Sequence, residues 1–193
     1  MDRGSDVQFR PLTLANWADL ETLFGPRGAC GGCWCMTWRL SASAFERNKG
    51  AGNRRALRKI VASGEPTGIL AYLEHEPIGW CAVAPRERYV RLAGSRVLKP
   101  VDSCPVWSVS CLYVARAHRR GGLSAMLLAA AARYVAEQGG QTLEGYPLDP
   151  KKRLPDAFAW TGLLPAFRKA GFQEVARRSP TRPIMRKDVR ARP

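Results

Sequence analysis

The sequence predicts one sheet-based domain that mixes strands and helices, of the α/β or α+β class. Three observations carry that prediction. Residues 106–114 (Val-Trp-Ser-Val-Ser-Cys-Leu-Tyr-Val) give the strongest strand signal in the chain, rich in β-branched and aromatic residues and free of Gly and Pro. A long helical pattern follows over 123–137, with Leu123, Leu127, Ala130 and Tyr134 on one face. The length, 193 residues, is enough for one domain with a core and too short for two ordinary ones.

The elements read in order. Residues 7–13 alternate apolar and polar like an edge strand, and Pro11 suits its end. Residues 15–24 are helical, with Trp17, Leu20, Leu23 and Phe24 on one face, and Gly25-Pro26 stops the helix. Residues 27–39 are rich in Gly and Cys, carry Trp34, Met36 and Trp38, and fit neither period, so they read as irregular. Residues 53–62 form a basic helix with Leu57, Ile60 and Val61 inward. Residues 68–74 and 77–83 are two strands joined at His75-Glu76 as a hairpin. Residues 85–92 read as a short helix, followed by a loop through Pro100 and Pro105. Gly139-Gly140 ends the long helix. Residues 142–146 are a strand and 147–157 a Pro/Lys/Asp-rich loop. A short helix over 163–170, closed by Gly171, precedes strands over 172–177 and 183–188. The domain is expected to span 1–188, with 189–193 as a basic tail. The chain carries no internal repeat, linker or low-complexity tract.

Hydrophobic residues make up 46% and charged residues 24%, which argues against disorder. Lys and Arg number 31 against 16 Asp and Glu, a formal net charge of +15. That excludes an acidic solvating protein and points to an anionic ligand, a nucleic acid or a membrane surface. Apolar runs such as 126–132 are far short of the ~20 residues a membrane span needs. No apolar segment follows the first six residues, so a cytoplasmic protein without a signal peptide or membrane partner is expected. Cys30, Cys33 and Cys35 cluster, whereas Cys81, Cys104 and Cys111 are dispersed. A structural zinc usually needs four ligands, and His75 and His118 have no useful partner spacing. Reduced, partly buried thiols are therefore expected, and no metal.

The chemistry concentrates in residues 112–124 (Leu-Tyr-Val-Ala-Arg-Ala-His-Arg-Arg-Gly-Gly-Leu-Ser). A strand runs into a basic, glycine-containing turn that opens the longest helix. Helix N-termini expose unpaired N–H groups and a positive dipole end. Glycine lets such a turn approach a phosphate closely, and Arg119 and Arg120 add charge and directional donors. Neither a dinucleotide-binding glycine fingerprint nor a P-loop is present.

Arg119-x-x-Gly122-x-Ser124 resembles the pyrophosphate motif, Gln/Arg-x-x-Gly-x-Gly/Ala, of the GNAT superfamily of acyl-CoA-dependent N-acetyltransferases. Ser in the last place is a mild departure, small enough for close approach. Residues 166–172 (Ala-Phe-Arg-Lys-Ala-Gly-Phe) resemble the family's Phe-Tyr-x-x-x-Gly-Phe helix. The segment Trp34-Cys35-Met36-Thr37-Trp38-Arg39 looks like one branch of that superfamily. The resemblance implies a mainly antiparallel mixed sheet flanked by helices, in which two parallel strands splay apart, here 106–114 and 142–146. Acetyl-CoA would lie in that V-shaped gap. Backbone groups of Leu112 and Val114 would pair with its pantetheine and thioester. Arg119 and the N–H groups of Arg120, Gly121, Gly122, Leu123 and Ser124 would hold the diphosphate, and Phe167 is grouped with these cofactor-binding positions. Acyl transfer is direct, so positioning supplies much of the rate.

The sequence departs from the family at both chemical positions. Ser108 stands where some members carry a catalytic Glu, and can orient a water. Phe167 stands where many carry a general-acid Tyr, and has no proton to give. Glu144 and Tyr146 on the neighbouring strand share one face and are the candidate replacements. For Glu144 two readings stay open: a base whose pKa is raised by an apolar setting, or a salt-bridge partner of an arginine. For Tyr146 they are a donor to the thiolate or a core residue. Alternation points Cys111 away from Ser108 and Ser110, into the core. Trp34, Trp38 and Trp107 are candidates to line an acceptor pocket for an apolar or aromatic amine, or are ordinary packing.

The basic excess is concentrated in 47–59 and 177–193. It reads as a solvated surface, or as a site for RNA or another polyanion, although no RNA-binding signature with interleaved aromatics is present. The leading expectation is a monomeric or homodimeric N-acetyltransferase acting on a small-molecule or peptide amine. The alternatives are an acetyltransferase of aminoacyl-tRNA and a non-catalytic acyl-CoA-binding module.

Overall fold

A computed structural model of the chain describes residues 7–151, 155 and 159–190. The N-terminal residues 1–6, part of the 147–157 loop and the last three residues of the basic tail lie outside them.

Seven strands form one sheet in the order β1-β2-β3-β4-β5-β7-β6. They are β1 (Val7–Pro11), β2 (Gly68–Leu73), β3 (Glu76–Pro85), β4 (Trp107–Val114), β5 (Thr142–Gly145), β6 (Gln173–Arg177) and β7 (Pro183–Asp188). Every pairing is antiparallel except β4 with β5. That parallel pair is short, with partners Trp107–Leu143, Ser108–Glu144 and Val109–Gly145. Beyond Val109 the two strands part. The predicted hairpin of β2 and β3 is present, with its turn at Glu74 in a left-handed conformation.

The helices are α1 (Trp17–Phe24), α2 (Ala42–Arg47), α3 (Ala51–Ala62), α4 (Val90–Ala93), α5 (Leu123–Glu137) and α6 (Leu164–Lys169). Only α2, whose N-terminus is capped by the Ser41 hydroxyl accepting from the Ala44 N–H at 3.3 Å, has no counterpart in the sequence reading. The apolar stripe of α5 and that of α6 bury against Val83, Val109, Leu112, Leu143 and Met185 on one sheet face. On the opposite face α1 and α3 pack with Trp34, Cys35 and Met36 over Leu70, Trp80, Ala82 and Cys111. The irregular 27–39 stretch is therefore core-forming. It turns through left-handed Ala29, Trp34 and Cys35, and buried Asn53 of α3 holds it by donating to the Gly32 carbonyl at 3.2 Å.

The rest of that second face is covered by the chain between β3 and β4. A 3-10 turn (Arg86–Arg88), α4 and the following loop bring Tyr89, Leu92 and Leu98 over Tyr146 and Ile184. Arg178 ties this cover to the far hairpin by donating to the Lys99 carbonyl at 2.6 Å and the Pro100 carbonyl at 3.1 Å. Much of the C-terminal basic run is thus committed within the fold: Arg177 pairs with Glu174 and Asp149, and Arg186 with Asp102 and Glu144.

One alternation is broken. Ala82 pairs with Cys111 but Val83 pairs with Val109, so Ser110 is the extra residue of a β-bulge. The bulge puts Cys111 on the same face as Ser108, correcting the expectation from strict alternation, although Cys111 is buried as expected. No helix among the described residues is long and apolar enough to cross a membrane.

Candidate active site

A cavity of about 590 Å³ opens where β4 leaves β5. It is bounded by the second half of β4, the turn before α5, the start of α6 and the segment around Trp160. Leu112 and Val114 face the α5 side, whereas Tyr113 belongs to the α1 side, so the cavity reaches both sheet faces around the freed edge of β4.

One end is cationic. His118, Arg119, Arg120 and Lys169 line it, with Gly122, Leu123 and Ser124. The geometry follows from the turn. Arg120 and Gly122 have φ of +65° and +84°. A side chain at 122 would meet only the Lys169 Nζ, at 3.7 Å, so the left-handed backbone rather than crowding calls for glycine. The Gly122 carbonyl accepts from the Ala125 and Met126 N–H groups at 3.0 and 3.3 Å. The N–H groups just before them precede the first helical bonds and sit at the positive end of a 15-residue helix. Arg119 Nε donates to the Val114 carbonyl at 3.0 Å and fastens the turn to the strand end. Lys169 is a cation that the sequence reading did not assign to this site. Its placement comes from α6 crossing the start of α5.

The rest of the lining is largely apolar and includes Ala29, Cys30, Tyr113, Trp160, Leu163 and Pro165. Trp160 is held by its backbone, whose carbonyl accepts from the Leu112 N–H at 2.7 Å. Gly162 lets this segment lie close, since a Cβ there would stand 2.8 Å from both Leu112 and Phe167. The backbone groups of Leu112 and Val114 are therefore partly engaged, the first by Trp160 and the second by Arg119, while both residues line the cavity.

Ser108, Glu144 and Tyr146 come together, but none of them lines the cavity. The Ser108 and Tyr146 hydroxyls are 2.8 Å apart, and the Tyr146 hydroxyl donates to Glu144 Oε1 at 2.6 Å. Glu144 is fully buried, and both of its oxygens are used. Oε1 also accepts from Arg86 at 2.9 Å, and Oε2 from Arg186 at 2.7 Å. Arg86 further contacts the Tyr146 hydroxyl and donates to the Leu98 carbonyl. Burial, then the Glu144 charge, push the Tyr146 phenol well above the usual tyrosine range. Of the two readings of Glu144, the geometry matches the ion pair. The network clasps β4 to β5 at their last shared registers, beneath the 86–101 cover.

The three tryptophans are not assembled. Trp34 is buried, stacked on Trp17 at 6.2 Å. Trp107 lies under α5, edge-on to Tyr134. Trp38 contacts Trp160 at 5.9 Å and lies behind the cavity wall. Phe167 is also buried, packed on Phe172, and supports the cavity from below instead of lining it. Gly121 lies in the turn but not on the wall. Sequence reasoning missed Trp160 because it follows a loop with no periodicity. Cys30 lines the cavity, Cys33 is half-buried and Cys35 and Cys111 are buried, all as free thiols.

Solved structures share this fold at low sequence identity. An agmatine N-acetyltransferase in its apo form is 14% identical, with a TM-score of 0.59, over 95% of this chain and 100% of that one. A GNAT-family acetyltransferase from Streptococcus agalactiae is 11% identical, with a TM-score of 0.57, over 95% and 96%. The PaiA N-acetyltransferase from Thermoplasma acidophilum, in complex with coenzyme A, is 14% identical, with a TM-score of 0.52, over 94% and 98%. No curated protein matches the sequence. The family model described as acetyltransferase (GNAT) matches residues 34–146, more than half of the chain, and with the splayed β4–β5 pair and the Arg119–Ser124 turn this establishes that the chain belongs to the GNAT acetyltransferase family.

Proposed function

We propose that this protein is an N-acetyltransferase, one domain over 1–188, that moves the acetyl group of acetyl-CoA directly to a primary amine of a small molecule or peptide. The observation that carries the reading is one continuous cavity. It joins an anion-holding turn to the freed edge of β4, where a thioester would meet an amine. Family membership and the relatives described above support the chemistry.

In this reading Arg119, Arg120, His118 and Lys169 hold the phosphates of the carrier, and the N–H groups of the turn that opens α5 meet the diphosphate. Val114 and Leu112 border the pantetheine arm. The neutral amine attacks the thioester carbon and the C–S bond breaks as the adduct collapses; the proton lost by nitrogen passes through solvent to the departing sulfur, which leaves as the coenzyme A thiol. Holding both partners on one strand edge supplies much of the rate. Ser108, Glu144 and Tyr146 act at a distance, as positioning residues that keep β4 and β5 clasped where the gap begins.

Steady-state release of coenzyme A thiol from acetyl-CoA, with a panel of primary amines, tests the proposal. Amine-dependent release is expected. Binding of acetyl-CoA without release for any amine, including peptide N-termini, would favour a carrier-binding module and overturn the transferase reading.

A further inference from the structure

We infer that the acceptor carries a flat apolar or aromatic group, recognised between Tyr113 and Trp160. This rests on the proposal that the carrier occupies the cationic end of the same cavity. With phosphates at the cationic turn and the pantetheine arm along Leu112 and Val114, the two aromatic residues left on the cavity wall are Tyr113 and Trp160, with Ala29 and Cys30 also on it. Both rings are partly exposed. Each is also backed by a second ring, which fixes its orientation before anything binds. Phe24 stands edge-on behind Tyr113 at 5.5 Å, and Trp38 lies tilted behind Trp160 at 5.9 Å. Trp160 has a further anchor in the bond from the Leu112 N–H to its carbonyl. That bond fixes its backbone where β4 frees its edge, and the residue lines the cavity there. Preformed aromatic walls favour a rigid planar partner, because little side-chain freedom is lost on binding.

The test uses the whole chain, saturating acetyl-CoA and two acceptors of similar reach, 2-phenylethylamine and n-butylamine. Acetyl-CoA binding is measured separately by calorimetry. A kcat/KM at least about tenfold higher for 2-phenylethylamine is expected, expressed mainly in KM. Trp160→Ala is expected to collapse that preference several-fold, and Trp160→Phe to restore most of it. Equal kcat/KM for the two amines, or a preference unchanged in Trp160→Ala, overturns the inference. If acetyl-CoA itself fails to bind, the carrier assignment has failed instead, and the two failures are told apart by the calorimetry.

Discussion

Replacing Glu144 by Gln separates a buried ion clasp from a catalytic base. The side chain keeps its shape, but one oxygen becomes an amide NH₂. Oε1 accepts from Arg86 and Tyr146, and Oε2 from Arg186. Either placement of the NH₂ therefore points a donor at a donor. The charge facing two guanidiniums is lost as well, although Arg186 keeps Asp102 at 2.5 Å. Breaking a buried pair costs about 3–5 kcal/mol, and the remaining Asp102 contact argues for the lower value, about 3 kcal/mol. For a chain of this size that corresponds to a fall in Tm of roughly 6–12 °C. The assay is urea unfolding followed by fluorescence, with turnover measured well below the new Tm. The expected result is a large stability loss with turnover per folded molecule reduced less than about tenfold. A general base contributes about 10²–10⁴ in rate. A hundredfold loss of kcat with stability changed by less than about 1 kcal/mol would refute the clasp and restore Glu144 as the base.

Four other substitutions have defined outcomes. Arg119→Glu and Lys169→Glu each place an anion beside phosphate and should raise the Kd for acetyl-CoA by roughly tenfold or more, with a shallower salt dependence by calorimetry. Gly122→Ala should destabilise the fold by about 1–2 kcal/mol, because the left-handed φ of +84° disfavours any Cβ; a denaturant midpoint equal to the parent's would contradict the turn geometry. Burial pushes the Tyr89 phenol up to about 12, against about 10 in the unfolded chain. The folded state then keeps a proton that the unfolded state loses, so Tyr89 contributes stability that is present below pH 10 and lost as pH rises towards 12. Tyr89→Phe should flatten part of that alkaline fall in a series of unfolding titrations.

The fold was legible where one strong local pattern coincided with its tertiary role. β4 and α5 announce themselves, since Val109 and Leu112 face the sheet's inner side and Leu123, Leu127 and Ala130 cover them. The anion-holding turn follows from the same pair of elements. Three features were not legible, each for a physical reason. The bulge at Ser110 leaves no composition mark, so alternation alone mis-aimed Cys111. The cover over Ser108, Glu144 and Tyr146 is a 3-10 turn, a four-residue helix and a loop, held from within by Arg86 and from afar by Arg178, and such contacts carry no periodicity. Without the cover in view, the base and salt-bridge readings of Glu144 could not be told apart. The aromatic wall takes Tyr113 and Trp160 from distant segments that meet through the backbone bond from Leu112 to Trp160, while the more conspicuous Trp34 and Trp107 went into opposite layers of the core.

A crystal structure with coenzyme A bound tests the central claim most directly. The diphosphate is expected within hydrogen-bonding reach of the N–H groups of Gly121 to Ser124, with Arg119 and Lys169 beside it and the sulfur near the edge of β4 at Leu112. A carrier bound with its phosphates elsewhere on the surface, leaving that turn empty, would contradict the account.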